Sequence, residues 1–246
     1  MKNINGWLWQ EYEEVGSTND TIKDIISSKS GSKYLVTAIK QTAGRGRRGH
    51  SWISLKGNLF MSMALEISSK DIGQFVFVVS LSLFDALHQL FPKINISLKW
   101  PNDILLNNCK ISGILLEKGE GDYLIAGIGV NIAASPQIAE ASFPPKSLSD
   151  NGFNTDRITL LKSYLNAFDE NFSIWKQQGF EKIRQRWLDN AENLQKRILV
   201  RMHNEDKIGI FSGIDDDGAL LLKCGNFVEK IYAGDIFYID NKEREN

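Results

Sequence analysis

The chain contains few of the residues that form cross-links or metal sites. Its 246 residues include two cysteines and three histidines. Cys109 and Cys224 stand far apart, with no CxxC motif and no paired Cys/His cluster. This spacing argues against a structural zinc site and fits a reducing compartment.

Charge of one sign and long apolar runs are also missing. The 29 basic residues are balanced by 30 acidic residues, so a net charge of -1 creates no global field favouring nucleic acid or an anionic membrane. No run approaches the roughly 20 apolar residues of a membrane-spanning helix, and residues 1–10 lack the basic-then-apolar pattern of a signal peptide. We expect a soluble, cytoplasmic protein in which any anion binding is local.

The most informative stretch that is present is a loop with the sequence QTAGRGRRG at residues 41–49. Its glycines allow backbone N–H groups to approach a ligand closely, and its arginines supply planar forks of donors for carboxylate or phosphate. Arg45 and Arg47 are two residues apart, so both side chains can face a single anionic ligand. The pattern predicts an anion-binding loop, and a solvated basic hairpin is the alternative.

Periodicity predicts a mixed α and β domain. Ser17 and its polar neighbours offer N-cap residues for a short helix that continues to Ile26. Strand-length apolar runs occupy residues 34–40, 58–67, 96–99, 111–117 and 123–132, and helical spacing occupies residues 75–91, 158–175 and 183–188. His88 lies on the apolar face of its helix and is interpreted as a core residue. Gly127 and Gly129 weaken their strand, which the close approach of a ligand or of another backbone would explain.

After Asn190 the pattern changes to short strands with tight turns, at residues 198–202, 207–214, 219–223 and 227–238. Strands of this length predict a small β-barrel. We therefore place a domain boundary between residues 1–192 and 193–246. The irregular segment at residues 133–151, which contains three prolines, is predicted to be a functional or a disordered loop.

Two further motifs carry side chains suited to binding. The KWPND run at residues 99–103 puts Lys99 at the end of a strand, where a point charge could hold a phosphoryl oxygen. The KISGIL run at residues 110–115 puts Gly113 inside an apolar strand, where a flat ligand could lie against bare backbone. Each motif alone is weak, but their joint presence in one order is specific.

Together these motifs resemble the biotin protein ligases, which join biotin to a carboxyl carrier protein through biotinyl-AMP. The resemblance covers about residues 12–240 and includes Ser17-Thr18-Asn19, Gln41 with the GRGRRG run, Ser51-Trp52, Asn58-Leu59, the KWPND and KISGIL runs, and residues 127–132. The family implies an α+β fold. It consists of a mixed sheet with helices, like that of class II aminoacyl-tRNA synthetases, and a small C-terminal SH3-like β-barrel.

The resemblance also implies which residues bind biotin. Ser17, Thr18 and Gln41 would hydrogen-bond the ureido ring, Gly113 would give a backbone contact, and Trp52 would cover the valeryl chain. The full implied set for biotin is Ser17, Thr18, Asn19, Gln41, Gly44, Arg45, Arg47, Trp52, Lys99 and Gly113. Burying the four CH₂ groups of that chain contributes only about 3 kcal/mol, so polar contacts are needed as well.

For catalysis and ATP, the resemblance implies Lys99, Arg45 and Arg47 as catalytic residues, because they would hold the carboxylate and the α-phosphate. The implied ATP-binding set is Arg47, Arg48, Lys99, Asn102, Asn131 and Phe143. Arg48 is also interpreted as a structural residue paired with an acid. Phe143 is a candidate for stacking on adenine, although residues 145–148 could form a lid there instead. No protein metal ligands are expected, and Mg²⁺ would enter with the phosphates of ATP.

The implied partner is the biotin carboxyl carrier protein of acetyl-CoA carboxylase or of a related carboxylase. The Ser17 motif begins 16 residues into the chain, so we expect no DNA-binding domain before it. A homodimer through a sheet edge is suggested by family analogy alone. Two other functions are weighed: a lipoate or octanoate protein ligase or transferase of the same fold, which would lack the GRGRRG and KWPND runs, and a non-enzymatic nucleic-acid binding module, which the near-neutral charge disfavours.

Overall fold

The computed structural model describes residues 1–27, 33–138 and 142–238, and within them the chain forms two sheets and a layer of helices. The strands of the larger sheet are β1 (Lys2–Ile4), β2 (Trp7–Val15), β3 (Lys33–Gln41), β4 (Leu59–Glu66), β5 (Ile96–Lys99), β6 (Asp103–Leu106), β7 (Cys109–Lys118) and β8 (Tyr123–Val130). The helices are α1 (Thr18–Ile26), α2 (Ile72–Leu90), α3 (Arg157–Gln178) and α4 (Phe180–Asp189). The smaller sheet contains β9 (Arg197–Arg201), β10 (Asp206–Ile214), β11 (Leu220–Cys224), β12 (Phe227–Ile231) and β13 (Asp235–Tyr238).

The larger sheet is mixed, with the strand order β1-β2-β3-β4-β8-β7-β6-β5. β2 and β3 pair in parallel, and the connection between them contains α1, because parallel neighbours need a crossover. Ile22 and Ile26 of α1 pack against Tyr34 of β3 on one face of the sheet. This packing holds the first turn of α1 beside the sheet, where the predicted Ser17 motif lies.

Helix α2 is the core helix that residues 75–91 predict, and it begins three residues earlier, at Ile72. Of the described residues, this helix alone has the length and apolar composition to cross a membrane, and most of it is buried inside the protein. The expectation that no segment reaches that length and composition was therefore too strict. The aromatic rings of Phe75 and Phe77 pack edge-on against Phe168 of α3 and Trp187 of α4, so the apolar surface is used for the core.

Helix α3 begins with a side-chain cap. The carboxylate of Asp156 accepts hydrogen bonds from the backbone N–H groups of Ile158, at 2.8 Å, and Thr159, at 3.0 Å. These bonds satisfy donors that have no partner within the helix. The hydrogen bond from the Thr159 hydroxyl, together with the backbone bonds, lowers the pKa of Asp156 below its ordinary value of 3.8.

Replacing Asp156 with alanine is expected to lower the free energy of unfolding by about 1 kcal/mol, the usual cost of losing an N-cap side chain. Urea unfolding at neutral pH measures the loss. Asp156→Asn keeps an acceptor oxygen and is the matched control, so equal losses in the two variants would contradict the capping role. Because the folded-state pKa is lowered, the contribution of the carboxylate is complete above pH 4 to 5, roughly, and is lost as the pH falls through that lowered pKa.

The smaller sheet is antiparallel and packs against the N-terminal end of α2. Its order is β12-β11-β10-β9-β13. The turn between β10 and β11 places Gly218 against Gly73, and a Cβ atom on either residue would lie within 2.6 Å of the other segment's backbone. Trp100 donates its indole N–H to the carbonyl of Gly218 at 3.3 Å. Buried side chains of both sheets belong to one apolar core, which includes Val200 and Phe211.

Most predicted elements are present in the structure. The strands that the sequence did not predict are short or polar. β2 was not predicted, because its second half carries exposed glutamates at positions 11, 13 and 14. β6, which begins two residues after Pro101, was not predicted either. The predicted run at residues 227–238 is two strands separated by residues 232–234. The boundary between 192 and 193 and the closure of the smaller sheet into an SH3-like barrel stay predictions, and residues 139–141 and 239–246 lie outside the described part of the chain.

Candidate active site

A cavity lies between the first turn of α1, the loop at residues 41–52 and a floor formed by β7 and β8. We call it the main cavity. Its lining residues are Ser17, Thr18, Asn19, Gln41, Arg45, Gly46, Arg47, His50, Ser51, Trp52, Asn102, Asp103, Lys110, Gly113, Ile114, Leu115, Gly127, Ile128, Gly129 and Asp235. The structure thus gathers the sequence motifs around one space, together with one residue of the smaller sheet.

One end of the main cavity is uncharged and polar. The side-chain carbonyl of Gln41 accepts the backbone N–H of Thr18 at 2.8 Å and its hydroxyl at 3.0 Å. The hydroxyl of Ser62 lies 2.7 Å from the Thr18 hydroxyl and 2.5 Å from the amide oxygen of Asn19. Ser17 occupies the N-cap position of α1 but makes no capping hydrogen bond with its side chain. Because Gln41 satisfies the helix N-terminus instead, the Ser17 hydroxyl is available to a ligand.

Arg45 borders the cavity but is already paired. Its guanidinium donates to both carboxylate oxygens of Asp20, at 2.6 and 2.7 Å, and reaches Glu117 at 3.3 Å. The hydrogen bond from Arg45 lowers the pKa of Asp20, and the pKa of Arg45 is raised in return. Glu117 also accepts from Asn19 at 2.9 Å and pairs with Lys23 at 3.0 Å. Most of the five N–H donors of Arg45 are therefore committed to protein carboxylates.

Arg47 is half-buried and only weakly paired. Its guanidinium lies 3.4 Å from the side-chain oxygen of Asn102, 3.3 Å from the carbonyl of Gly234 and 3.7 Å from a carboxylate oxygen of Asp235. Burial lowers its pKa. The expectation that Arg45 and Arg47 face a single anionic ligand stays a prediction, but the two side chains differ in how far they are already paired. Arg47 keeps free donors at the cavity, whereas Arg45 ties the loop to α1.

A cluster of cations surrounds one buried carboxylate beside Arg47. Asp103 lies 2.7 Å from the ammonium of Lys110 and 3.7 Å from that of Lys99. Burial opposes ionisation of Asp103, but Lys110 and Lys99 together hold its pKa below the ordinary value. Burial lowers the pKa of Lys99, which is 5% exposed. Of the two lysines, Lys110 borders the main cavity and Lys99 does not, and Lys110 is a residue to which the sequence assigned no role.

A second cavity adjoins the main one. Its lining residues are His50, Ser51, Trp52, Ile53, Lys110, Asn131, Pro136, Ile138, Phe143 and Pro145. Phe143 and Asn131, both predicted for ATP, lie here. The ammonium of Lys99 lies 4.5 Å from the centre of the Phe143 ring, so Lys99 contacts one of the residues that line this cavity. The two cavities share Lys110, Trp52, His50 and Ser51 as lining residues.

The glycines on the cavity floor leave space for side chains from other segments of the protein. A Cβ atom on Gly127 would lie 2.4 Å from the amide oxygen of Asn19, and one on Gly129 would lie 2.4 Å from the indole of Trp52. Gly113 is covered by Trp52 and Lys110. Neither a ligand nor another backbone alone therefore explains these glycines. They let Asn19 and Trp52 lie directly on the sheet.

The remaining predicted residues shape the loop. Gly44 accepts the backbone N–H of Trp52 at 2.9 Å, and a Cβ atom there would lie 2.6 Å from the Trp52 carbonyl. Arg48 pairs with Asp235 at 2.7 Å, which confirms its interpretation as a residue paired with an acid. Asn102 donates to the carbonyl of Ile114 at 2.7 Å. Sequence reasoning missed Asp20, Glu117 and Asp235, because nothing in their local sequence marks them as partners of the loop.

Replacing Asp235 with asparagine is expected to loosen the loop, because Asp235 is the acid that holds Arg48 and faces Arg47. Trypsin cleavage after these arginines should accelerate about three- to tenfold, while the midpoint of thermal unfolding changes little for a half-exposed pair. Asp206→Asn, which removes the pairing acid of Arg201 in the same sheet, is the control. Unchanged cleavage in Asp235→Asn would mean that the loop is held by its other contacts.

The fold and the site define an enzyme of the class that activates a small carboxylic acid. The sequence pattern described as the Biotin/lipoate A/B protein ligase family matches residues 12–131, and the Biotin protein ligase C terminal domain matches residues 194–238. The chain is 36% identical over 237 residues to the biotin–(acetyl-CoA-carboxylase) ligase of Paracoccus denitrificans, a match that covers 90% of this chain and 97% of that protein. The chain belongs to the biotin protein ligase family.

Other relatives agree with this assignment. The chain is 32% identical over 239 residues to the bifunctional ligase/repressor BirA of Bacillus subtilis, covering 92% of this chain and 72% of that protein. The biotin protein ligase of Aquifex aeolicus, solved in complex with biotin and ATP, superimposes with a TM-score of 0.81 at 27% identity and covers 95% of this chain and 98% of its own. The family resemblance and the α+β fold class expected from the sequence are confirmed.

Proposed function

We propose that this chain activates biotin with Mg-ATP to biotinyl-5'-AMP and transfers the biotinyl group to a lysine of a biotin carboxyl carrier protein. The observation that carries the proposal is the main cavity itself, which joins an uncharged polar end to a cation cluster beside a second cavity. A ligand with a polar ring at one end and a carboxylate at the other fits this arrangement. Biotin is such a ligand, and ATP fits the second cavity.

The polar end is assigned to the ureido ring. Ser17 offers a free hydroxyl, Thr18 offers a hydroxyl, and Gln41 has an amide NH₂ group whose nearest acceptor, Ser54, is 3.5 Å away. Asn19, in the first turn of α1, supports this end through its hydrogen bonds with Ser62 and Glu117. The edge of the ring needs both hydrogen-bond donors and acceptors, and this end of the cavity supplies both.

The charged end is assigned to the reacting groups. Arg47 would hold the carboxylate of biotin and then the phosphate of the adenylate, because its donors are the least committed. Lys110 and Lys99 would neutralise charge at the α-phosphate while the carboxylate attacks the α-phosphorus and pyrophosphate leaves. The chemistry needs positioning and charge stabilisation and no covalent enzyme intermediate. Asn131 and Phe143 would contact the nucleotide from the second cavity, and Mg²⁺ would arrive with ATP as part of the substrate.

In the second step a carrier lysine attacks the mixed anhydride and AMP leaves. The name of the Paracoccus relative, a ligase of acetyl-CoA carboxylase, supports the carrier protein of that enzyme as the partner. The free thiols of Cys109 and Cys224 are consistent with a cytoplasmic enzyme. A homodimer and the absence of DNA binding stay predictions from family analogy and from the sequence.

The test is incubation with biotin, Mg-ATP and a carrier domain, followed by intact mass. One biotinyl group on the carrier lysine is expected. Replacing biotin with lipoate in a pyrophosphate exchange assay separates the closest alternative, since that family pattern includes lipoate ligases. Exchange with lipoate but not with biotin would overturn the proposal. Salt-sensitive binding of RNA or DNA without exchange would favour the nucleic-acid module.

A further inference from the structure

Trp52 carries a polar group that no contact within the described part of the chain uses. Its indole borders both the main cavity and the second cavity. The indole N–H is buried and has no hydrogen-bond acceptor among residues 1–27, 33–138 and 142–238. Folded proteins rarely leave a buried donor without an acceptor, so a donor beside a ligand space requires an explanation.

The indole is also held in one place. A Cβ atom on Gly129 would lie 2.4 Å from Cε2 and 2.7 Å from Nε1 of the indole, so these indole atoms lie almost against the backbone of β8. A Cβ atom on Gly113 would lie 3.0 Å from Cζ3, so the other ring edge lies against β7. The backbone of Trp52 is fixed by the hydrogen bond to Gly44, at 2.9 Å. The position of the N–H is therefore set before any ligand arrives.

The surroundings of the indole favour an anionic acceptor. The ammonium of Lys110 lies 5.8 Å from the centre of the indole ring, and Lys110 also borders both cavities. Lys99 and Arg47 complete the positive charge on this side of the site. A neutral donor next to such a cluster adds direction to the attraction that the cations provide, because a hydrogen bond depends on angle and a point charge does not.

We propose that Trp52 is a specificity-determining residue whose indole N–H donates a hydrogen bond to an anionic oxygen of the substrates where the two cavities meet. The inference rests on the proposed function, in which a carboxylate and an α-phosphate must come together at that place. The acceptor is a carboxylate oxygen of biotin or a phosphate oxygen of the nucleotide. The apolar wall expected from the sequence needs only the ring of Trp52, whereas this role needs its N–H.

Trp52→Phe tests the donor, because phenylalanine keeps an aromatic ring and removes the N–H. The dissociation constants of biotin and of biotinol, which lacks the carboxylate, are measured by calorimetry, and the KM for ATP by pyrophosphate release. If the carboxylate is the acceptor, biotin should bind about 10-fold more weakly and biotinol within twofold of wild type. If the phosphate is the acceptor, the KM for ATP should rise about 10-fold with little change for biotin.

Equal weakening of biotin and biotinol with an unchanged KM for ATP, or no change in any of the three values, would overturn the proposal. Trp9→Phe is the matched control, since its indole N–H bonds to Thr37 at 2.9 Å, away from the cavity, and its loss should affect stability alone. Gly129→Ala is the second variant, which keeps the N–H but displaces it. The substrate weakened by Trp52→Phe should be weakened here too, and a defect in Gly129→Ala alone would mean that only ring packing matters. Wild-type turnover in the same assay separates a failure of this inference from a failure of the proposed function.

Discussion

Replacing Lys99 with alanine is expected to slow the formation of biotinyl-5'-AMP by a factor of about 100 or more. Lys99 is a buried cation held 3.7 Å from Asp103 and 4.5 Å from the centre of the Phe143 ring. Its ammonium group is therefore already in position and does not have to be ordered during the reaction. Removing one preorganised group at a developing negative charge costs roughly 3 kcal/mol. Biotin affinity should change much less, because Lys99 lies outside the main cavity. Pyrophosphate exchange measures the rate and calorimetry the affinity.

Two further variants make this result interpretable. Lys162→Ala, an exposed lysine on α3, controls for the loss of one positive charge. Lys110→Ala tests the neighbouring cation, which borders both cavities. Exchange by Lys99→Ala within threefold of wild type, together with a large loss in Lys110→Ala, would transfer the catalytic role to Lys110. Exchange near the wild-type rate in both variants would remove the cluster from the mechanism.

Arg47→Gly is expected to let the adenylate escape before it reaches the carrier. The phosphate of biotinyl-AMP carries one negative charge, and Arg47 has the least committed donors near it. A charge-assisted hydrogen bond contributes about 1.5 to 3 kcal/mol, so its loss should speed release roughly 10- to 100-fold. The variant should still consume ATP while biotin affinity falls. Free adenylate acylates any amine, so serum albumin mixed with enzyme, biotin and Mg-ATP should become biotinylated.

Arg48→Gly is the matched control for this experiment. Arg48 has a positive φ of 53°, a conformation that glycine adopts without strain. The substitution therefore removes a charge next to Arg47 and does not strain the backbone. It should label albumin far less than Arg47→Gly does. Equal labelling by the two variants would mean that mobility of the loop, and not the charge of Arg47, releases the intermediate. Wild-type labelling by an Arg47→Gly variant that makes adenylate would exclude Arg47 as the retaining residue.

The sequence predicts much of the fold, because most elements follow from periodicity that a short window contains. The alternating apolar residues of β4 and the helical spacing of α2 are examples. β6 was missed because four residues after a proline give no period to recognise. β2 was missed because its glutamates face solvent at the edge of the sheet, where charge is tolerated.

The sequence predicts most of the residues that line the site, but it predicts less well which role each residue has. The GRGRRG loop identified both arginines, yet whether each is free depends on Asp20, 25 residues earlier, and on Asp235, 188 residues after Arg47. Such pairings are tertiary and leave no trace in a local pattern. The burial of Lys99 has the same origin, since its ammonium lies over the ring of Phe143, which is distant in the sequence. The covering of Gly129 by Trp52 could not be foreseen either, because it depends on the path of the whole loop.

The contact between Gly73 and Gly218 limits how this chain can be recombined with others. Two backbones touch there because neither residue has a side chain, and Trp100, next to Lys99, hydrogen-bonds to the same turn. A C-terminal segment taken from another protein would have to bring a glycine at this turn and a matching carbonyl. The smaller sheet is therefore fitted to α2 and Trp100 of its own chain, and chimeras joined after α4 that lack such a turn should have a defect next to Lys99 even when both parents are active.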